Sequence, residues 1–318
     1  MRKEDVQDII DCFDGDRFVF PYFKERYAYM LLEWFTAEGK SIRDVKQSNW
    51  GSLLNKPAVK NVLANKGAGD LSCWDFGSLW PLNYEVFHLT LGSWGASGRG
   101  SSYQTTRKGA NLVLQINYSN KHDQVFERLK PCLLNRVRYQ GHPISQARNT
   151  LAWMRLDVSL ETNEVLIEEV QTDWLRLLRS ILKKANELVS EDRDALWCRC
   201  KNSPLARDVV DYAVRTLWLY GCIWDEATLA AGLWFVREQL GISKVYYHTF
   251  EGGMKAKGFV YGKPPRSLYT SLPKQFCFRK TAEGPRFLFE DKRHRKRYRN
   301  LQGQRWFCLY LDNDSLSV

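Results

Sequence analysis

Residues 151 to 174, LAWMRLDVSLETNEVLIEEVQTDW, constrain the fold more than any other stretch of this 318-residue chain. Two runs rich in Val, Ile, Leu and Trp flank a polar turn, SLETNE, which is the pattern of a β-hairpin. The return run also carries carboxylates, an amide and an indole, so polar chemistry is driven into a strand. A connecting loop of two or four residues predicts Arg155 opposite Val170 and Asp157 opposite Glu168, whereas a loop of three predicts Arg155 opposite Glu169. In either register Glu169 and Gln171 share one face, and Glu168 and Val170 the other, because alternate strand residues point the same way.

Around this hairpin the pattern predicts an α+β architecture: a mainly antiparallel central sheet flanked by helices and preceded by a helical N-terminal region. Apolar residues spaced by three and four predict helices over 4–13 and 17–38, the second with Phe20, Phe23, Tyr27, Met30, Leu31 and Trp34 on its stripe. Shorter helices follow near 41–48, with Ser41 as cap, and near 57–65, opened by Pro57. We divide the chain into a helical region, 1–80, and an α+β domain, 81–318. Strands are expected at 84–94, 111–119, 242–250 and in the final QRWFCLYLD. Helices are expected at 122–137, 175–189, up to Gly221, and at 225–240. PPRSLYTSLPKQFCFRKT reads as extended or turn-rich.

Charge and cysteine usage narrow the partners. The formal charge is +11, and KRHRKRYR at 292–299 supplies a dense basic run, so a nucleic acid or nucleotide is the expected partner class. The 8 Cys show no framework spacing, which reads as reduced thiols in a cytoplasmic protein. The Cys198–Cys200 pair has no second pair to complete a zinc site, so no metal is expected. No apolar run is long enough to span a bilayer, and the acidic N-terminus does not read as a signal peptide. The Gly- and Ser-rich connection GSWGASGRGSSYQTTRKGA, with Arg99, Arg107 and Lys108, could approach a phosphate or simply be a loop. Its spacing matches neither a Walker loop nor a dinucleotide fingerprint, so no cofactor is identified.

Within the hairpin, Glu169 is a candidate acid or base and Gln171 a group that orients a base or amide. Trp174 offers a ring for stacking, and Arg155, Arg107 and Lys108 are cations for phosphate. Each has a plainer reading: Glu169 as the ion-pair partner of Arg155, Asp173 as a helix cap rather than a substrate-binding group, and His248, at a strand end in VYYHTFEGG, as a hydrogen-bonded structural residue rather than a catalytic one.

The run Glu169, Val170, Gln171, Thr172, Asp173, Trp174 resembles the E-I-Q-S-D-W strand of a domain found in large polyvalent proteins of phages and conjugative elements, with Val for Ile and Thr for Ser. LAWMRLDV before it and AAGLWFVREQLGISKVYYHT after it extend the likeness over about 150–260. The whole chain is also similar to uncharacterised bacterial proteins that share NLVLQINYS, EVQTDWLR, YHTFEGG and PPRSLYTSLPKQFCF. These resemblances imply a setting of mobile elements or bacterial conflict and no particular reaction. Three readings follow: an enzyme on a nucleotide or nucleic acid, a non-catalytic nucleic-acid-binding module, and an acyltransferase. The last rests on an element order similar to the GCN5-related acetyltransferase fold, although the turn before the helix at 225 lacks that family's pyrophosphate-cradling glycines.

Overall fold

The computed structural model of the chain describes residues 1–13, 18–66, 69–77, 80–95, 105–139, 141–187, 206–257, 264–290 and 305–312. The hairpin stands inside a sheet of eight strands. In chain order these are β1 (Val19–Tyr22), β2 (Glu85–Trp94), β3 (Asn111–Asn117), β4 (Thr150–Ser159), β5 (Glu164–Gln171), β6 (Lys244–His248), β7 (Arg279–Thr281) and β8 (Trp306–Tyr310). Across the sheet they run β1-β2-β3-β4-β5-β6-β8-β7. Every neighbouring pair is antiparallel except β5 with β6. The architecture is thus α+β with a mainly antiparallel sheet, and helices lead the chain.

Those leading helices are α1 (Lys3–Cys12), α2 (Arg26–Phe35), α3 (Ile42–Gln47), α4 (Pro57–Lys66) and α5 (Cys73–Gly77). Ser41 caps α3 by accepting the Asp44 N–H at 3.0 Å, and Pro57 opens α4, where its missing N–H costs nothing. The expected helix over 17–38 is shorter, because Val19–Tyr22 is an edge strand paired with β2. Pro21 explains this: lacking an N–H it fits an edge strand, while Phe20 and Tyr22 turn into the core. The helix over 122–137 is likewise divided, into α6 (Asn120–Phe126) and α7 (Lys130–Val137), with Pro131 in the first turn of α7. The segment after Pro264, read as extended or turn-rich, is not extended but forms two short helical turns, Arg266–Tyr269 and Ser271–Gln275, before β7. The basic run 292–299, Arg99, Cys198 and Cys200 lie outside the described residues.

Helices α8 (Asp173–Glu187), α9 (Ala206–Tyr220) and α10 (Trp224–Trp234) carry the chain from β5 to β6. A parallel pair requires such a crossover. α10 is buried almost all round and lies close on the hairpin: a Cβ added at Gly232 would sit 1.6 Å from Met154 Cε. One apolar core runs from Val6 to Leu311 and takes Met154, Leu156, Val165, Ile167 and Val170 from the hairpin. Each such side chain contributes roughly 1.5–3 kcal/mol by leaving water. Among the described residues, the sheet's other face has a small apolar cluster about Leu166, Tyr246 and Trp306. It is there that α11 (Phe250–Lys257) packs.

The hairpin register holds the fold's main departure from regularity. Ser159 pairs with Glu164, leaving a four-residue loop in which Asn163 adopts φ 55°. The expected Asp157–Glu168 pairing does not form: counting from Ser159–Glu164, Asp157 faces Leu166 and Leu156 faces Ile167, and the register then shifts, so that Arg155 faces Glu169. Glu168 is the extra residue, a β-bulge. Core-facing positions on β5 therefore run 165, 167 and then 170, and the bulge turns Glu169 to the face of Arg155. Glu168 and Glu169, expected on opposite faces, both meet the charges gathered away from the main core.

Candidate functional site

β5 and β6 stay paired from Glu164–Lys244 to Ile167–Tyr247. Just past that point, Glu168 reaches a sealed cluster. Its Oε1 accepts the Thr106 N–H at 2.9 Å and its Oε2 accepts the Thr106 hydroxyl at 2.7 Å. That hydroxyl also lies 2.9 Å from His248 Nε2, which is 3.3 Å from Glu168 Oε2. Lys257, from α11, donates to the Glu168 carbonyl and stands 3.5 Å from Oε2. Glu168, His248 and the Lys257 side chain are all buried.

Burial opposes the charge on Glu168, but Lys257, His248 and Arg155 together hold its carboxyl far below the usual range. Burial lowers the His248 and Lys257 pKa values despite the carboxylate beside them. Although a hydroxyl, an imidazole and a carboxylate meet here, they do not form a relay. Thr106 and Glu168 both address Nε2, and Nδ1 is buried with no hydrogen-bond partner among the described residues. A base needs its second nitrogen held and its first facing a substrate; this cluster instead locks strands and loop together. Gly252, in α11, allows the close approach on this side, since a Cβ there would lie 2.5 Å from the Arg305 carbonyl oxygen.

A second histidine meets a second carboxylate two turns of chain away. Thr172 caps α8, accepting the Leu175 N–H at 3.3 Å, so Asp173 is released from the capping role expected of it. Asp173 instead accepts four donors. His142 Nδ1 at 2.8 Å and Trp153 Nε1 at 3.1 Å reach Oδ2, while Gln171 Nε2 at 2.6 Å and Arg176 Nη2 at 2.7 Å reach Oδ1. Burial would raise its pKa, but hydrogen bonds from His142, Trp153 and Gln171 outweigh that and keep it lowered. Gln171 Nε2 also lies 3.0 Å from His142 Nδ1. Because an ionised carboxylate only accepts, a neutral His142 ring that donates to Asp173 carries its proton on Nδ1 and its lone pair on Nε2. The Gln171 amide then has Asp173 rather than the ring as its acceptor. The His142 side chain is 23% exposed. Around it, ring centroids of Tyr139, Trp153 and Trp94 stand at 4.6, 5.5 and 6.4 Å, all edge-on.

Between the two clusters lies the Arg155–Glu169 ion pair, with the Arg155 guanidinium 5.5 Å from the Trp94 ring centroid. Glu169 thus takes its plainer expected place. Arg107 is committed as well: it grips buried Asp157 through two hydrogen bonds of 2.7 and 2.8 Å. Lys108 is exposed. Trp174 is not a stacking surface but core: it is 1% exposed, donates to the Tyr212 hydroxyl at 2.8 Å, and packs against Tyr118, His122 and Phe126. Gln171 and Asp173 are brought together, with His142 as their focus. His248 belongs to the sealed cluster instead.

Sequence reasoning missed His142, Thr106, Lys257 and Glu168. The EE doublet at 168–169 gave no signal by itself, since alternation puts its two carboxylates on opposite faces and only the bulge brings both to polar partners on one side. His142, a lone His in GHPIS, carried none. Among the described residues no three His, Cys, Asp or Glu side chains gather to hold a metal ion, and no helix is long and apolar enough to cross a membrane. No protein-family model, curated protein or solved structure matches the chain.

Proposed function

We propose that this protein is an enzyme that moves a proton at His142 while acting on a nucleotide or nucleic acid. The observation that carries the reading is the His142–Asp173 pair: a half-buried imidazole held by a four-fold hydrogen-bonded carboxylate, with its other nitrogen left as a base. Gln171 fixes the carboxylate, and Trp94 and Tyr139 supply rings beside the imidazole against which a base can rest. The net charge of +11 favours a phosphate-bearing substrate. The setting of mobile elements belongs to the same proposal and rests on the resemblance of residues 169–174.

The test is incubation with labelled single-stranded DNA, RNA and common nucleotides, with products identified by mass. His142→Gln should lower turnover by about 100-fold or more and leave the melting temperature nearly unchanged. Unchanged turnover in that variant, or no product from any substrate, overturns the reading.

A second reading, acyl transfer, is favoured by one observation: antiparallel strands are followed by a single parallel step, β5 to β6, whose recorded pairing ends at Ile167–Tyr247. A thioester cofactor lying beyond that point would have to displace Lys257 from the Glu168 carbonyl. Titration with acetyl coenzyme A separates the two readings, since binding that shifts the Lys257 signal supports the second and no binding removes it.

A further inference from the structure

Asp173 is buried, yet two of the groups that cover it keep an open side. His142 takes one carboxylate oxygen and Arg176 takes the other. The Arg176 side chain is 64% exposed, and the bond from Nη2 to Asp173 is its one hydrogen bond among the described residues. The guanidinium is thus held in place with further N–H donors to spare. Three other cations along the hairpin also sit on carboxylates. Arg155 and Lys257 have buried side chains, and Arg107 grips Asp157 through both Nε and Nη2. Of the four, Arg176 is the most open.

At the other end of the same patch stands a ring that the chain has made room for. The His142 N–H donates to the Tyr139 carbonyl at 3.0 Å and closes a turn. The Tyr139 ring folds back over Gly141, where a Cβ would lie 2.9 Å from Tyr139 Cε1. It meets the imidazole edge-on, with centroids 4.6 Å apart and planes at 73°. Tyr139 is nevertheless 54% exposed. Little of it serves the core, so its open face is free to stack.

We infer that the His142 site takes single-stranded nucleic acid, with one base stacked on Tyr139 and the adjoining backbone phosphate on Arg176. This substrate rests on the reading of His142 as the group that works on a nucleotide or nucleic acid, and it narrows that class. A duplex hides its base faces in the stack, so a side-chain ring reaches them only where the strand is unpaired. Arginine suits the phosphate because its planar fork stays charged and offers parallel donors; here Asp173 already holds the fork.

Fluorescence anisotropy with an end-labelled oligonucleotide of about 12 nucleotides tests the assignment. The His142→Gln chain is used, so that turnover does not consume the probe, and DNA and RNA single strands are compared with their duplexes. A single strand of at least one sugar type should bind at least about ten-fold tighter than its duplex. Tyr139→Ala should weaken it at least about five-fold, and Tyr139→Phe should keep it. Arg176→Ala should weaken it and make the slope of log affinity against log salt shallower by roughly 0.7, the loss of one phosphate contact. No binding of any strand, duplex binding as tight as single-strand binding, unchanged affinity in Tyr139→Ala, or an unchanged salt slope in Arg176→Ala would each overturn the assignment. Strand binding that shows these losses, in a protein whose wild type turns over no strand, would support it while removing His142 as a base. Wild-type turnover with affinity and salt slope unmoved in both variants would do the reverse.

Discussion

Two histidines face carboxylates from one stretch of six residues, Glu168 to Asp173, and their surroundings give them opposite work. His248 and Glu168 are sealed, share Nε2 with Thr106, and leave Nδ1 with no partner among the described residues. His142 is only partly covered although Asp173 is buried, and the contact is made through Nδ1. The same two functional groups therefore make a structural lock in one place and a candidate base in the other. Which nitrogen is engaged, and whether solvent or substrate can reach the remaining one, decides between them.

The sharpest way to break the comparison is Glu168→Ala. It strands Lys257, His248 and Thr106 without their shared acceptor in the interior, and should cost about 3–5 kcal/mol in denaturant unfolding. A loss under 1 kcal/mol would show that the cluster is no lock. Acidification probes the same place. His248 has a lowered pKa when folded, so the unfolded chain binds its proton first and stability should fall as pH drops through the ordinary histidine range near 6.5. His122, also lowered by burial, adds a loss of the same sign. Glu168 and Asp173 are lowered too; their contribution is present above the ordinary carboxylate range and lost as pH falls below it. Unfolding curves from pH 8 to 3 should thus decline in two stages, and His248→Gln should shrink the first.

Asp173→Asn is expected to act less on stability, about 1–3 kcal/mol, because the new amide faces four donors with one oxygen fewer. Its turnover should drop alongside that of His142→Gln, and normal turnover would dissociate Asp173 from the base. The smallest effect belongs to Arg176→Ala. This side chain is 64% exposed, so its bond to Asp173 should be worth no more than about 1 kcal/mol in the same unfolding assay.

Much of the frame was legible in the sequence. The β-rich apolar run of NLVLQIN, the three-and-four spacing of α8 and Ser41 as a cap are all local signals, and local hydrogen bonding enforces them. The candidate site was legible only by half. Gln171 and Asp173 stood out as polar residues in an apolar run, but their partner, His142, arrives through tertiary packing at a separation of 31 residues. The bulge at Glu168 was not legible, because apolar alternation reads the same on either side of one inserted residue until the partner strand fixes the count. Pro21 was a local signal for β1, outweighed by the helical stripe that follows it.

The parallel step also bears on how the chain finds this state. β4 and β5 can zip from their turn, but Glu168 and His248 are 80 residues apart. Bringing them together means closing a loop whose described residues include α8, α9 and α10, and loop closure of that length is paid before the contact returns anything. The speed of folding is thereby tied to the excursion through α8, α9 and α10, and substitutions that loosen α10 on Met154 should slow the closing of the sheet more than changes in the hairpin turn.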